Sequence, residues 1–342
     1  MGCLYSNTQA VPVSRLDDTR FDWVAKKKKT FRLARVYELL GETAKAGQTA
    51  GCATWLQYGV DAQGSKTLTA ANFCKGRLCP LCNARRARRA AVLLSKVMTA
   101  AQERRPGLQF VFLTLTVRNC TGAALGDTIT CLTSAWSKLT RHRRFTRAIV
   151  GWFRAIECTR NRETGEYHPH IHAILAVDEA YFNRDAELYI TLDEWVSRWA
   201  KALRVDYLPS VDIKTTHARG KKRGSAAAAA EAAKYPTKDV EYLGQALVDR
   251  EGVVNEDVLA VVRDYTTALA GRRLSAFGGL LRVVAKELKA ENVEDGDLVH
   301  TDEGEVRSDL FVMLVTYRWN LGLVDYELES VEEVAGNGGA DS

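Results

Sequence analysis

The sequence predicts an α+β fold built on an antiparallel sheet, and three observations lead there. Two apolar, partly β-branched runs, residues 151–160 and 171–177, flank the turn-rich Asn161-Arg162-Glu163-Thr164-Gly165-Glu166, which is the pattern of a β-hairpin. A third run, 109–117, is nearly apolar through its first half and reads as a central strand buried on at least one face. Residues 125–144, with Leu132, Trp136 and Leu139 on one side, and 192–203, with Trp195 and Trp199, repeat at helical spacing and supply helices to pack against a sheet.

Length and composition set bounds on these elements. A chain of 342 residues can bury a sizeable core in two or three structural units. Its 46% hydrophobic and 26% charged content describe an ordinary soluble protein. There is no apolar run of about 18 residues, which excludes a helical membrane span, and the N-terminus lacks a signal-peptide pattern. The net charge of +6 is compatible with a polyanionic partner. Eight cysteines in a chain without an export signal imply free thiols or metal ligands, not a disulfide framework.

Taken in order, residues 1–30 read as polar and irregular, ending in Lys26-Lys27-Lys28-Lys29, either a solvated segment or a phosphate-contacting arm. A helix is expected over 31–47. Cys74-x4-Cys79-x2-Cys82 then places three thiols on a tight knuckle. Cys52, brought back by a hairpin turning through 61–65, makes a fourth, so that a tetrahedral, closed and therefore structural Zn²⁺ site is expected. A long helix follows to about residue 102, and its first turns carry Arg85, Arg86, Arg88 and Arg89. A zinc knuckle feeding an arginine-rich helix resembles a nucleic-acid-binding module.

The hairpin holds the most informative stretch, Tyr167-His168-Pro169-His170-Ile171-His172. Side chains alternate along a strand, so His170 and His172 share a face and can share a cation. If Arg160 pairs with Tyr167, Glu157 falls opposite His170 and adds a carboxylate; a one-residue slip would turn Glu157 away. Two imidazoles and one carboxylate leave open positions on a metal, and with a phosphate oxygen they suit Mg²⁺ or Mn²⁺. Thr114, Thr116 and Asn119, at the end of the central strand, can place polar groups near the histidines.

Beyond the hairpin, a strand is expected at 210–215 and a basic loop at 217–224. A strongly helix-forming run from Ala226 ends at Tyr235, because Pro236 follows. Glu231 and Tyr235, four apart, lie on one helical face, with Lys234 and Lys238 beside the phenol. Helices at 255–270 and 277–289, an acidic turn-rich stretch at 291–305, a strand at 310–319 and a disordered tail from 336 complete the chain.

Four pieces occur together in order: the cysteine block 73–82, Phe112-Leu113-Thr114-Leu115-Thr116-Val117-Arg118-Asn119, His168-Pro169-His170-Ile171-His172, and Lys234-Tyr235-Pro236-Thr237-Lys238-Asp239. With them the chain resembles the rolling-circle plasmid replication initiators of the HUH endonuclease superfamily, in their monotyrosine form. The resemblance implies a central antiparallel HUH-type sheet with helices on one side, flanked by a small N-terminal zinc module and a mixed C-terminal extension. The corresponding segments are a basic arm and helix at 1–47, a four-cysteine module with its arginine helix at 48–105, a nicking domain at 106–245 and the extension at 246–342.

It further implies metal-dependent nicking of one strand at the plasmid double-strand origin. Tyr235 is the nucleophile, leaving a 5′-phosphotyrosyl link and a 3′-hydroxyl primer, and Glu231 assists hydrolysis at termination. Tyr242 is a rival nucleophile on chemistry alone. The implied partners are origin DNA, single-stranded or extruded at the nick, and a host helicase, single-strand-binding protein and DNA polymerase, in the cytoplasm, with a homodimer on DNA allowed. A relaxase or transposase of the same superfamily, or a non-enzymatic zinc-dependent DNA-binding regulator, remain the alternatives.

Overall fold

The computed structural model of the protein describes residues 14–16, 18, 21–183, 187–215, 254–290, 292, 294, 296–301 and 308–334. Glu231, Lys234, Tyr235, Lys238 and Tyr242, the basic loop at 217–224 and the C-terminal tail lie outside the described residues. The chain forms two units, one of residues 1–82 with 297–342 and one of residues 83–296. This differs from the four consecutive segments expected, because the C-terminal hundred residues are divided between the two units. No helix of the described residues is long and apolar enough to cross a membrane.

The first unit holds α1 (Trp23–Leu39), α2 (Thr43–Ala50), β1 (Trp55–Asp61), β2 (Lys66–Ala71) and, from the far end of the chain, β8 (Phe311–Asn320) and β9 (Asp325–Glu333). All four strands pair antiparallel in the order β2-β1-β8-β9. Asp61 turns the expected β1–β2 hairpin by accepting from the backbone of Gln63 and Ser65. Gly59 is required where it stands, because a Cβ there would enter the Phe311 ring. The N-terminal reading is corrected: the chain is helical from Trp23, with Asp22 capping Ala25 N at 3.0 Å. The lysine run concealed the period, for Trp23, Lys27, Thr30, Leu33 and Tyr37 form the buried face. The single helix expected over 31–47 is two helices, broken at Gly41, whose φ of 75° suits glycine.

The second unit is organised on a five-stranded antiparallel sheet in the order β6-β3-β5-β4-β7. Its strands are β3 (Gln109–Thr116), β4 (Gly151–Arg160), β5 (Tyr167–Val177), β6 (Val211–Thr215) and β7 (Ser275–Gly278). Residues 83–104 of α3 (Pro80–Arg104) belong here, with α4 (Gly122–Arg141), α5 (Arg143–Ala148), α6 (Leu192–Leu203), α7 (Glu256–Leu269) and α8 (Gly279–Glu287). On one sheet face Phe110, Phe153, Ala155, Ile174 and Phe277 pack with Leu94, Val97 and Met98 of α3 and with Leu281 and Val284 of α8. On the other, Trp152 meets Trp136 of α4 edge-on at 5.1 Å, and α6 and α7 pack against α4.

The expectation of helices on one side only is therefore corrected. Ile171, Ala173, Leu175 and Val177 alternate with Ile174 and Ala176, so β5 is apolar on both faces and both must be covered. Fully burying side chains of this size contributes about 1.5–3 kcal/mol each relative to exposure, which favours a well-packed central hairpin.

Candidate metal centres

The β4–β5 loop sets the geometry of the first centre. Asn161 N donates to Glu166 O and Gly165 N to Asn161 O, with Gly165 at φ 72°. The turn closes Arg160 onto Tyr167, and counting inward places Glu157 opposite His170, the register read from the sequence. Glu157 is fully buried and both histidines are 8% exposed. Glu157 Oε2 lies 2.9 Å from His172 Nε2 and 3.7 Å from His170 Nε2, and the two Nε2 atoms are 3.0 Å apart.

Their outer nitrogens are held separately. His170 Nδ1 donates to the His168 carbonyl at 3.0 Å, which fixes the proton on Nδ1 and leaves the Nε2 lone pair facing the centre. His172 Nδ1 lies 3.2 Å from Thr114 Oγ1 on β3, its cross-strand neighbour. His168 turns to Asn119 Oδ1 at 2.8 Å, and burial, helped by nearby His170, holds its pKa below the ordinary histidine value. Thr114 and Asn119 thus stand where the sequence reading placed polar support. Two imidazole nitrogens and a carboxylate oxygen, all within 4.8 Å of one another, could hold a metal ion. The observed edges bracket the separation of about 3.0 Å between neighbouring ligands of an octahedral ion with bonds near 2.1 Å.

The second centre gathers Cys52, Cys74, Cys79 and Cys82. Cys52 follows α2, Cys74 follows β2, and Cys79 and Cys82 straddle the start of α3, where Pro80 opens the helix. Lys75 at φ 56° bends the knuckle so that Gly76 N points at Cys74 Sγ, 3.4 Å away, while Cys74 N points at Cys52 Sγ. The Cys52–Cys82, Cys79–Cys52 and Cys74–Cys82 sulfur separations are 3.5, 3.5 and 3.7 Å. A tetrahedral ion with metal–sulfur bonds of about 2.3 Å needs edges of about 3.8 Å, so the donor set and its size fit. Burial opposes ionisation of Cys79, yet thiol hydrogen bonds from the other three cysteines drive its pKa well below the ordinary thiol value. The helix N-terminus favours the same charge.

Lys27, which sequence reasoning placed in a run either solvated or contacting phosphate, is fully buried here; its ammonium donates to the Ala50 carbonyl at 2.9 Å and to that of Cys52. Desolvation lowers its pKa to about 8 against the pull of Cys52, Cys79 and Cys74. Its only sequence signal was a place four residues after Trp23 and six before Leu33, on the apolar stripe.

The arginine row expected to face DNA is also corrected in part. Arg85 and Arg86 are 2% and 4% exposed, and Arg86 Nε donates to the Glu294 carbonyl at 3.0 Å. Arg89 donates to the Asn292 carbonyl at 2.7 Å and Arg88 is half-buried. A helix packed on a sheet turns part of any basic run inward, and the long arginine stems tolerate it once the guanidinium finds carbonyls.

Comparison with known proteins gives a consistent result. A family model described as "Replication protein" (Rep_1) matches residues 65–326, a span that contains Glu157, His170, His172, Cys74, Cys79 and Cys82. The chain is 35% identical over 283 residues to "Protein rep" of Streptococcus pneumoniae serotype 2, covering 82% of this chain and 84% of that protein. It is 34% identical over 309 residues to "Protein rep" of Lactiplantibacillus plantarum, covering 89% and 94%. A Bacillus sp. "Protein rep" is 37% identical over 268 residues, covering 75% and 84%. No solved structure matches.

Proposed function

The chain belongs to the Rep_1 family of replication proteins, and on that premise we propose that it initiates rolling-circle replication of a plasmid by nicking one strand of the double-strand origin. The observation that carries this reading is the buried Glu157–His170–His172 group, two imidazoles and a carboxylate converging from adjacent strands of one sheet. Burying three polar side chains together costs free energy that their mutual contacts offset only in part, and a bound cation would offset the rest.

Glu157, His170 and His172 would hold Mg²⁺ or Mn²⁺. When bound, the ion would withdraw charge from a non-bridging phosphate oxygen and orient the ester. The phenolic oxygen of Tyr235 attacks phosphorus and the O3′–P bond breaks. The 5′-phosphate becomes a tyrosyl ester and the departing oxygen takes a proton to become a 3′-hydroxyl. A phenol has a reference pKa of about 10, so Lys234 and Lys238 are assigned the work of favouring the phenolate and gripping flanking phosphates. At termination Glu231 takes a proton from the water that attacks the regenerated site, so that no second protein adduct forms. Cys52, Cys74, Cys79 and Cys82 are assigned a structural Zn²⁺.

Incubation of the protein with its supercoiled parental plasmid and Mn²⁺ tests this directly. An SDS-stable protein–DNA conjugate is expected, absent in Tyr235→Phe. Adduct that persists in that variant transfers the nucleophile to Tyr242 or elsewhere, and a wild-type protein that leaves the plasmid intact ends the proposal.

A further inference from the structure

The sheet face opposite the histidines carries a second feature. Thr133, Ser134, Ser137, Lys138, Arg141 and His142 line a groove along the C-terminal half of α4. Positions 134, 138 and 141 recur at helical spacing, so hydroxyls and cations are interleaved on one exposed stripe. Antiparallel α6 extends it: Lys138 Nζ reaches the Ala202 carbonyl at 3.4 Å, and Arg198 leans on His142 at 3.1 Å.

Among the described residues, this surface gathers cations that no carboxylate pairs. Glu194, one turn from Arg198 on α6, is occupied by Arg144 at 3.0 Å and Arg198 at 2.8 Å. Among the described residues Arg141 bonds to Ser137, through Nε to its carbonyl at 3.1 Å and through Nη2 to Oγ at 2.6 Å. Among the described residues Lys138, Arg141, Arg143 and Lys201 have no carboxylate partner, and all four are exposed. Some exposed cations elsewhere are paired, as in Arg104–Glu287, Arg105–Asp178 and Lys45–Glu42, whereas Lys96, Arg282 and Lys286 on α3 and α8 are, among the described residues, unpaired like those of the groove. Helix dipoles favour Lys138, Arg141 and Lys201, each in the last turn of its helix. They do not account for collecting these charges on one side, where they repel one another. Against a whole-chain charge of only +6, this is a concentration of positive field.

We infer that the α4–α6 face is a duplex-DNA backbone site, separate from the nicking centre, that grips the double helix flanking the nick through phosphate contacts from Lys138, Arg141, Arg143 and Lys201 and hydroxyls of Ser134 and Thr133. Hydroxyls beside cations are what phosphate oxygens accept from, and such contacts hold position without reading sequence. The inference rests on the initiator reading for its biological setting, though backbone binding itself does not require the nicking chemistry. Trp136 covers Trp152, beside Leu175 of β5, while His170 and His172 lie toward the other end of that strand and on its other face. Strand rise and one helix layer separate the two sites by roughly 25 Å, or about seven base pairs of axial length. The groove therefore acts on duplex arms longer than that and leaves cleavage of a short single strand alone.

The test uses the full chain. A triple variant, Lys138→Ala with Arg141→Ala and Lys201→Ala, is compared with a charge-matched control, Lys96→Ala with Arg282→Ala and Lys286→Ala, whose side chains are exposed on α3 and α8. Binding to a 40-base-pair duplex of arbitrary sequence is followed by fluorescence anisotropy across a salt series. Each lost phosphate contact lowers the slope of log affinity against log salt by about 0.9. The groove variant is expected to lose about two to three of slope and at least roughly tenfold of affinity at physiological salt; the control is expected to lose less than about one. Mn²⁺-dependent adduct formation on a single-stranded origin oligonucleotide should stay within about twofold of wild type in both. Equal slopes in the two variants overturn the inference, as does adduct formation that falls in parallel with duplex binding. If the wild type forms no adduct, the initiator reading fails, while the two slopes still decide the groove.

Discussion

Glu157 Oε2 lies 2.9 Å from His172 Nε2, although the two residues are not directly paired: Glu157 stands opposite His170 and reaches diagonally along the sheet. A buried carboxylate aimed at two imidazole nitrogens could hold a cation, and the negative charge of the group comes from that one residue. Glu157→Gln keeps the volume and removes the charge. Its Mn²⁺ affinity, measured by calorimetric titration, is expected to fall at least about tenfold, with the thermal transition little changed when no metal is added. Undiminished affinity would remove Glu157 from the ligand set.

Thr114 acts one step further out. Its hydroxyl is 3.2 Å from His172 Nδ1, in register across β3 and β5. Partners of this kind orient a ligating imidazole and typically alter metal affinity about 10–100-fold when removed. Thr114→Val should weaken Mn²⁺ binding by about tenfold and Thr114→Ser should restore it. Equal affinity in all three proteins would show that packing against Phe112, whose ring is 5.4 Å away, suffices to hold the imidazole.

These two residues also show what a sequence can reveal. Glu157 and His170 were legible because a hairpin with a short glycine-bearing loop admits few registers, and each register dictates a face, while Thr114 was legible only as part of the polar end of β3. Cys52 was legible because Asp61 marks a turn that returns the chain. Lys27 was not, since four consecutive lysines erase the contrast between faces that helical periodicity depends on. Pairing of β8 with β1 was not, because Trp55 and Arg318 are joined across more than 260 residues and no local pattern encodes such a partner. The buried Arg86 follows the same rule: its acceptor, the Glu294 carbonyl, is 208 positions away.

The cysteine centre makes a stability prediction. One equivalent of zinc per chain is expected by elemental analysis, and Cys79→Ser should reduce it to well below half, since the fully surrounded Cys79 contributes to a closed site. Chelation of the wild-type protein should lower its melting temperature. Full occupancy in Cys79→Ser would mean the ion, if any, sits elsewhere.

Acid sensitivity is expected at the joint between α5 and α6. Burial tends to raise the pKa of Glu194, but hydrogen bonds from Arg144 and Arg198 win and hold it below the ordinary glutamate value. A depressed folded-state pKa means stabilisation that is complete above the unfolded value near 4.3 and is lost as pH falls through the folded one. With the carboxylate partly exposed, the contribution at neutral pH is at most about 1 kcal/mol. Glu194→Gln should therefore be slightly less stable than wild type to urea at pH 7, and the difference should shrink below about pH 4. A gap that persists unchanged at pH 3 would place its origin in packing, not charge.

The C-terminal strands give the sharpest test of how the first unit holds its cysteine cluster together. Tyr326 of β9 donates its hydroxyl to the Ala53 carbonyl at 2.7 Å, and Trp319 N of β8 donates to Thr54 O at 2.8 Å, so residues just after Cys52 are anchored from the far end of the chain. Without β8 and β9, β1 and β2 are left as an isolated hairpin, which is marginal in water. A chain ending at Gly296 retains every cysteine of the cluster yet should bind zinc much more weakly, losing the ion to a chromogenic chelator at least about tenfold faster than the full chain. If the two proteins release zinc at the same rate, Cys52 is positioned by α2 and the knuckle alone, and the C-terminal strands serve another purpose.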